Sequence, residues 1–237
     1  MLYRLAAFPF DMKFNVITIF PELFDGFKGQ ALIARAIKKR LLSIKAHDLR
    51  KWTKDAHRSV DGRPYGGGAG MVMLVEPIMK AVRKLQTKNA KLKTRVLLMS
   101  AKGKQFTQKD ALRLLKYDQL IVICGRYEGV DERVAKHIAD EEVAVGPYVL
   151  FGGEIPAMVV TEAVARLIPG VIKLESLQEE SHGDQELKKE ASGQGWLEYP
   201  HYTRPEIIEI EGKKRRVPKV LLSGDHAKIA TWREEHR

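Results

Sequence analysis

Residues 119–124 read QLIVIC, a run of apolar side chains that predicts a strand buried on both faces. A second run, RVLLMS at residues 95–100, precedes it, and a helical pattern over residues 107–115 separates the two. Strands that alternate with helices, with continuously apolar inner strands, are typical of an α/β fold with a mostly parallel sheet. The alternation continues on both sides, with strands predicted at 13–20, 43–49 and 141–145 and helices at 30–40, 76–85, 131–138 and 155–167.

The chain has 237 residues, enough for one large domain or two small ones. Its character changes near residue 172, where an acidic stretch without periodicity predicts a flexible linker. The opening MLYRLAAFPFD lacks the features of a secretory signal, so we interpret it as an extension or as a wrongly assigned start of the chain. We therefore expect an extension (1–11), an α/β domain (12–172), a linker (173–198) and a short basic C-terminal domain (199–237).

The formal net charge of +11 favours a polyanionic partner, nucleic acid first. The charge is regional: residues 80–104 carry nine Lys or Arg and no acid, whereas residues 173–190 carry six acids and three Lys. The single cysteine, Cys124, excludes an internal disulfide and a multi-cysteine zinc site, and it suits a cytoplasmic location. No apolar run approaches the roughly 20 residues of a membrane helix, so we expect no membrane partner.

Three glycine-containing loops follow the predicted inner strands: residues 100–104 (SAKGK), 125–129 (GRYEG) and 145–153 (VGPYVLFGG). Ligands of parallel sheets bind beyond the carboxyl ends of the strands, and glycines let backbone amides approach them closely. One such loop is explained by a tight turn, but three in succession favour a small-molecule pocket. The dinucleotide fingerprint, the P-loop ending, H-E-x-x-H and G-x-S-x-G are all missing, which argues against an ordinary NAD or nucleoside triphosphate site.

Six motifs stand in order along nearly the whole chain, from Met12 to about Trp232. They are IFPE (19–22), DGRPYGGG (61–68), GRYEGVDER (125–133), GGEIPA (152–157), PHYTRP (200–205) and VLLSGDH (220–226). Together they resemble the motifs of a bacterial family, the tRNA (guanine-N1)-methyltransferases called TrmD.

The resemblance implies a SPOUT-type fold with a deep trefoil knot, a small mainly helical C-terminal domain, and a homodimer. It implies transfer of a methyl group from S-adenosylmethionine to N1 of guanosine 37, beside the anticodon, when position 36 is also G. The expected partner is thus the anticodon stem-loop of tRNA. The family generally depends on magnesium, although no cluster of metal ligands in the sequence places an ion. The family also continues beyond the segment where this chain stops, so we expect a minimal RNA-binding domain.

The resemblance places the cofactor in the knot loops, contacted largely by backbone groups. Glu128 could pair with the cationic end of the cofactor, because a carboxylate is stabilised near a positive charge. Alternatively, Glu128 is an acid that precedes the helix predicted at 131–138. The remaining implied cofactor residues are Met99, Ser100, Gly125, Val145, Gly146, Pro147, Tyr148, Val149 and Leu150.

Methylation of guanine N1 requires loss of the N1 proton, which a carboxylate can accept while a guanidinium stabilises charge on O6. In the family the base is an Asp before a Ser in the linker, and the Arg precedes the Ile-Pro-Gly that ends a helix. The resemblance assigns these roles to Glu180 and Arg166. Because Glu stands where Asp is usual, Asp184 and Glu179 are alternatives for the base, as is a solvated linker without a catalytic role. We expect both groups to serve a pocket that the partner subunit completes.

The RNA side would be lined by the loop at 57–70 and by residues 200–204. Arginines there can contact phosphates or a guanine edge, and aromatic rings offer stacking faces. Asp61 could accept hydrogen bonds from guanine N1 and N2, or it could simply be a turn residue before Gly62. The RNA-binding residues so implied are His57, Arg58, Asp61, Arg63, Tyr65, His201, Tyr202 and Arg204.

Two rival functions remain at this point. A SPOUT methyltransferase acting at another RNA position would share the pocket without needing Glu180 and Arg166. A basic RNA-binding protein that retains the fold is favoured only by the Glu in place of Asp.

Overall fold

The computed structural model describes residues 11–88, 90–173 and 199–236, in two units that divide between Lys173 and Leu174. The predicted extension, apart from Asp11, and the predicted linker, apart from Lys173, lie outside the described residues. The described strands are β1 (Met12–Thr18), β2 (Leu42–Asp48), β3 (Asp61–Gly62), β4 (Val72–Met73), β5 (Thr94–Gln105), β6 (Gln119–Cys124), β7 (Glu141–Ala144), β8 (Ile207–Ile210) and β9 (Lys213–Arg216). The described α-helices are α1 (Leu23–Lys28), α2 (Ala31–Lys38), α3 (Val75–Lys88), α4 (Gln108–Leu114), α5 (Glu132–His137), α6 (Glu154–Ala165) and α7 (His226–Glu235).

A five-stranded parallel sheet forms the centre of the first unit, in the order β2-β1-β6-β5-β7. The predicted parallel α/β sheet is thereby confirmed. All six residues of β6 are buried, as the QLIVIC sequence requires of a middle strand. Helices α3 and α5 pack on one face around Ile78, Val82 and Val134, and α6 packs against β1 and β6.

Strand β5 is longer than its apolar segment predicts, because it runs through AKGKQ to Gln105. Met99 and Lys104 both pair with Val143 of β7, so residues 100–103 form a bulge between two stretches of parallel pairing. Gly103 allows the second stretch of pairing to form, because a Cβ at this position would lie 2.4 Å from the backbone nitrogen of Val143. The continuation is polar and held by backbone pairing, which explains why hydrophobic periodicity does not predict it.

Helix α4 begins with a complete capping box at Thr107. The Thr107 hydroxyl accepts from the backbone N–H of Asp110 at 3.4 Å, and the Asp110 carboxylate accepts from the backbone N–H of Thr107 at 3.1 Å. Asp110 therefore occupies the capping-box position that Glu or Gln usually takes. The six-residue helix α1 is not predicted, since one turn and a half carries little periodicity.

The described part of the second unit is less helical than expected. Strands β8 and β9 form an antiparallel hairpin whose turn residues, Glu211 and Gly212, both have positive φ. The basic cluster KKRR is strand β9, and all four residues are exposed. Helix α7 is capped by Asp225, whose carboxylate accepts from the backbone N–H of Lys228. Residues 199–236 thus combine a hairpin with one ten-residue helix.

Candidate functional site

A cavity of about 420 Å³ opens at the carboxyl ends of β5, β6 and β7. These strands are neighbours in the sheet, so the three loops singled out from their glycines meet at one place. The volume lies within the roughly 300–1,000 Å³ of small-molecule sites. The arrangement is suited to a ligand of the size of a nucleoside derivative.

Nine of the ten residues that the resemblance assigns to the cofactor line this cavity. The tenth, Pro147, is exposed and is not among the lining residues that the structure describes. The lining nine are Met99, Ser100, Gly125, Glu128, Val145, Gly146, Tyr148, Val149 and Leu150.

The floor of the cavity is a close contact between the loop after β7 and the end of β6. The backbone N–H of Gly153 donates to the carbonyl of Gly125 at 2.8 Å. A Cβ on Gly153 would stand 2.7 Å from the Cα of Cys124, so only glycine fits there. This contact therefore fixes the position of the Gly125 backbone in the cavity wall.

The glycine-rich loop predicted to face RNA is fastened to the rim of the cavity. Its two ends pair as β3 and β4, and the backbone N–H of Met73 donates to the carbonyl of Gly129. The backbone N–H of Glu128 donates to the carbonyl of Met71, and the Glu128 side chain fills the space that a Cβ on Gly70 would need. Asp131, not Glu128, caps α5. The geometry therefore weakens the alternative interpretation of Glu128 as a helix-terminal acid.

Asp61 lies in β3, paired with Met73, so the alternative that makes it a simple turn residue is wrong. The Tyr127 side chain lies close to the Asp61 carboxylate. Burial first, and the nearby Asp61 charge second, raise the pKa of Tyr127 above its ordinary value. The Tyr127 phenol thus stays protonated at neutral pH.

The sequence did not predict a group of charged side chains at the edge of the cavity. Lys102 in the β5 bulge forms ion pairs with Glu132 at the start of α5 and with Glu142 of β7. The hydrogen bond from Lys102 lowers the pKa of Glu132, so this carboxylate is ionised at neutral pH. The only sequence signal for this group was the glycine and lysine of the SAKGK loop. The two acids come from distant segments, so the sequence alone did not bring them together with Lys102.

A buried carboxylate, Glu154, lies behind the cavity wall. It accepts a hydrogen bond from the Thr18 hydroxyl at 2.7 Å and another from Nε of Arg126 at 2.8 Å. Burial, with the Glu154 charge second, raises the pKa of the Cys124 thiol well above its ordinary range. Cys124 is therefore a neutral packing residue. Glu154 and Arg126 stand in two of the sequence motifs, but nothing in the sequence pairs them.

Comparison with known proteins bears directly on this cavity. The profile of the family described as tRNA (Guanine-1)-methyltransferase TrmD matches residues 12–237. A tRNA (guanine-N(1)-)-methyltransferase of Ruminiclostridium cellulolyticum is 47% identical over 94% of this chain and 89% of its own length. Proteins of that name from Thermomicrobium roseum and Staphylococcus carnosus are 48% and 43% identical, over 94% and 95% of this chain and 77% and 86% of their own lengths.

The chain belongs to the TrmD family. The resemblance read from the six motifs is thereby confirmed, and the chain is an enzyme of the methyltransferase class. Membership of this family, together with the missing fingerprint, argues against a dinucleotide-dependent dehydrogenase.

Of the proposed catalytic pair, the structure describes Arg166 alone. Arg166 is the C-cap of α6, whereas the cavity touches the start of that helix. Twelve residues at 1.5 Å each place Arg166 about 18 Å along the helix axis from Glu154. Glu180 and its alternatives Asp184 and Glu179 lie outside the described residues. Arg166 is not among the described residues that line the cavity.

The RNA-side residues expected from TrmD are mostly exposed and belong to two units. In the first, Tyr65 is 100% exposed at the tip of the glycine-rich loop, where Gly66, Gly67 and Gly68 all have positive φ. In the second, the His201 ring lies 4.7 Å from that of Tyr199, and the Tyr202 ring meets that of Trp232 edge-on at 6.2 Å. The remaining exposed members are His57, Arg58, Arg63 and Arg204.

An apolar groove of about 550 Å³ shares a wall with this cavity at the carboxyl ends of β5, β6 and β7. Its sides include Leu23, Leu150 and Ile155, and the Phe151 ring at its edge is 97% exposed. The groove therefore presents apolar surface to solvent. In the described part of the chain, no helix is long and apolar enough to span a membrane, and no group of three or more His, Cys, Asp or Glu could hold a metal ion.

Proposed function

We propose that this protein transfers a methyl group from S-adenosylmethionine to N1 of guanosine 37 in tRNA whose position 36 is also G. The observation that carries the proposal is the cavity itself. It is built from the three loops to which the resemblance assigns the cofactor, in a chain of the TrmD family. The relatives named tRNA (guanine-N(1)-)-methyltransferase support the same activity.

The cavity fits S-adenosylmethionine by chemistry as well as by size. When bound, this cofactor supplies an electrophilic methyl group on a cationic sulfur. Apolar side chains and loop backbone suit the adenine ring, and the Glu128 carboxylate suits the positively charged end. The cradle at Gly125 and Gly153, which a Cβ would fill, admits a ligand close to the backbone. The trefoil knot implied by the resemblance would bring these loops together.

For the chemical step, we assign proton removal to Glu180 and charge stabilisation to Arg166. The carboxylate accepts the proton of guanine N1, and the guanidinium donates to O6 as negative charge develops there. Asp184 is the second candidate for the base. A magnesium requirement remains a prediction from the resemblance.

A homodimer would complete the site. The exposed apolar face carries Leu23, Phe151, Ile155 and Val159, of which the last two are one helical turn apart on α6. Burying this face against a second copy would remove it from water. Arg166, about 18 Å from the start of its own helix, would then serve the pocket of the partner subunit.

The anticodon stem-loop would lie against the glycine-rich loop and the basic C-terminal unit. Tyr65 presents a fully exposed ring for stacking, and the exposed KKRR strand supplies positive charge for phosphates. Asp61, held in the β3–β4 pair beside the glycine-rich loop, is the group we assign to the guanine edge.

The test is transfer of labelled methyl groups from S-adenosylmethionine to unmodified tRNA with G36 and G37, beside the same tRNA with A37. We expect label on the first tRNA only. Label on both would indicate a SPOUT methyltransferase of another position. Binding of both cofactor and tRNA without any transfer would indicate an RNA-binding protein and would contradict the proposal.

A further inference from the structure

The carboxylate of Glu154 joins three chain segments, two of which contribute residues to the cavity wall. It is 1% exposed, and its two oxygens accept from Thr18 at the end of β1 and from Arg126 after β6. Glu154 itself begins α6, directly after the loop that follows β7. A buried carboxylate is costly unless it is paired and hydrogen-bonded, so its position beside the cavity calls for a role.

Arg126 is the group through which Glu154 acts on the cavity wall. Its guanidinium lies 4.7 Å from the centre of the Phe20 ring, while its NH1 group donates to the carbonyl of Phe151 at 3.4 Å. A Cβ on Gly152 would lie 2.2 Å from Nε of Arg126, so the side chain runs through space that only glycine leaves open. The Arg126 side chain is therefore held in place by its contacts with Glu154, Phe20 and Gly152.

The wall that Arg126 supports separates two spaces. Leu150, Phe151 and Gly152 line both the cofactor cavity and the apolar groove, and so does Arg126. The Phe151 side chain is almost fully exposed, so side-chain packing does little to hold this part of the loop. Its shape therefore depends on the backbone contact to Arg126 and on the contact of Gly153 with the end of β6.

We propose that Glu154 is a positioning residue for cofactor binding: through Arg126 it holds residues 150–153 in the shape that receives S-adenosylmethionine. This inference rests on the proposed function, since it takes the cavity to be the cofactor site. Glu154 touches neither cofactor nor RNA in this account. Its charge orients Arg126, and Arg126 orients the loop.

A matched control separates this role from a general contribution to folding. Glu141 of β7 is also partly buried and paired with arginines: Arg113 at 2.6 Å and Arg95 at 2.6 Å. It is not among the described residues that line the cavity. Neutralising Glu141 should therefore destabilise the protein without changing the cofactor site.

The experiment measures direct binding of S-adenosylmethionine by calorimetry to wild type, Glu154→Gln and Glu141→Gln, with the mass of each in solution by light scattering. We expect Kd to rise at least tenfold for Glu154→Gln and less than twofold for Glu141→Gln, with masses unchanged. In steady-state methyl transfer, KM for the cofactor should rise more than kcat falls. Thr18→Val, which removes one hydrogen bond, should weaken binding about threefold and serves if Glu154→Gln does not fold.

A double variant tests the path through Arg126. Arg126→Gln with Glu154→Gln should bind no more weakly than Arg126→Gln alone, because the second change removes a partner that is already lost. Additive losses, unchanged binding by Glu154→Gln, equal losses in Glu141→Gln, or a change of mass would each overturn the inference. Failure of the wild type to bind S-adenosylmethionine would instead overturn the proposed function.

Discussion

At the scale of single residues, the fold shifts the pKa of His47 away from its ordinary value. Its Nε2 lies 2.8 Å from Oδ1 of Asn15 on the neighbouring strand. Burial chiefly, and then the charges of Lys45, Lys51 and Lys88, lower its pKa from 6.5 to about 4. The imidazole is therefore neutral in the folded protein at physiological pH.

This shift predicts a loss of stability in mild acid. The unfolded chain takes up a proton at His47 near pH 6.5, whereas the folded protein does so only near pH 4. The free energy of unfolding therefore falls as the pH drops through that window and levels off above it. Since the ring is partly exposed, we expect only about 1 kcal/mol of extra loss between pH 7.5 and 5.

The measurement is urea unfolding at both pH values in wild type and His47→Gln, which cannot titrate there. The wild type should lose about 1 kcal/mol more than the variant between the two pH values. Equal pH dependence in the two proteins would show that His47 titrates normally.

At the scale of elements, the bulge in β5 connects sheet pairing with the cofactor cavity. Ser100, Ala101 and Lys102 line the cavity and lie between the two residues that pair with Val143. Gly103 allows the chain to return to β7. The bulge is thus a site at which backbone pairing sets the position of cavity groups.

Gly103→Ala should therefore destabilise the protein and weaken cofactor binding together. The added Cβ meets backbone atoms of Glu142 and Val143, which cannot move without disturbing β7. We expect a loss of about 1–3 kcal/mol in unfolding free energy, typical of overpacking, and a higher Kd for S-adenosylmethionine.

Gly26→Ala is the matched control for that change. Gly26 lies in α1, and a Cβ there meets nothing within 4 Å. Its substitution should be neutral or stabilising by up to about 1 kcal/mol, because Ala is the better helix former. Similar losses in the two variants would contradict the close approach at Gly103.

At the scale of the whole molecule, the proposed function divides the site between two chains. The residues proposed to bind the cofactor lie near the start of α6, while Arg166 caps its other end. Positive charge, an exposed KKRR strand and the exposed Tyr65 ring belong to surfaces that RNA would cover. Two copies and a tRNA would together form the working enzyme.

Mixed dimers test this sharing of sites. Gly125→Val crowds the cofactor cavity, because a Cβ there already lies 3.0 Å from the carbonyl of Met99. Glu180→Gln removes the proposed base. Each homodimer should be inactive, but a heterodimer keeps one intact site and should show about half of wild-type methyl transfer per dimer. A heterodimer with no activity would mean that each chain serves its own pocket.

Much of this protein could be predicted from local sequence. Buried parallel strands must be apolar on both faces, so QLIVIC and RVLLMS are recognisable before any tertiary contact is known. Glycines at strand ends predict the cavity because close backbone approach excludes side chains, as Gly153 illustrates. The six motifs predict the family because their order and spacing are specific.

Tertiary structure alone decided which distant groups meet. Thr18, Arg126 and Glu154 form one hydrogen-bonded group, although Thr18 and Glu154 are 136 residues apart. Likewise, β5 continues through polar AKGKQ only because β7 offers it backbone partners. The physical reason is the same in both cases: hydrophobic patterns report local burial, whereas hydrogen bonds and ion pairs depend on where the whole chain places each partner.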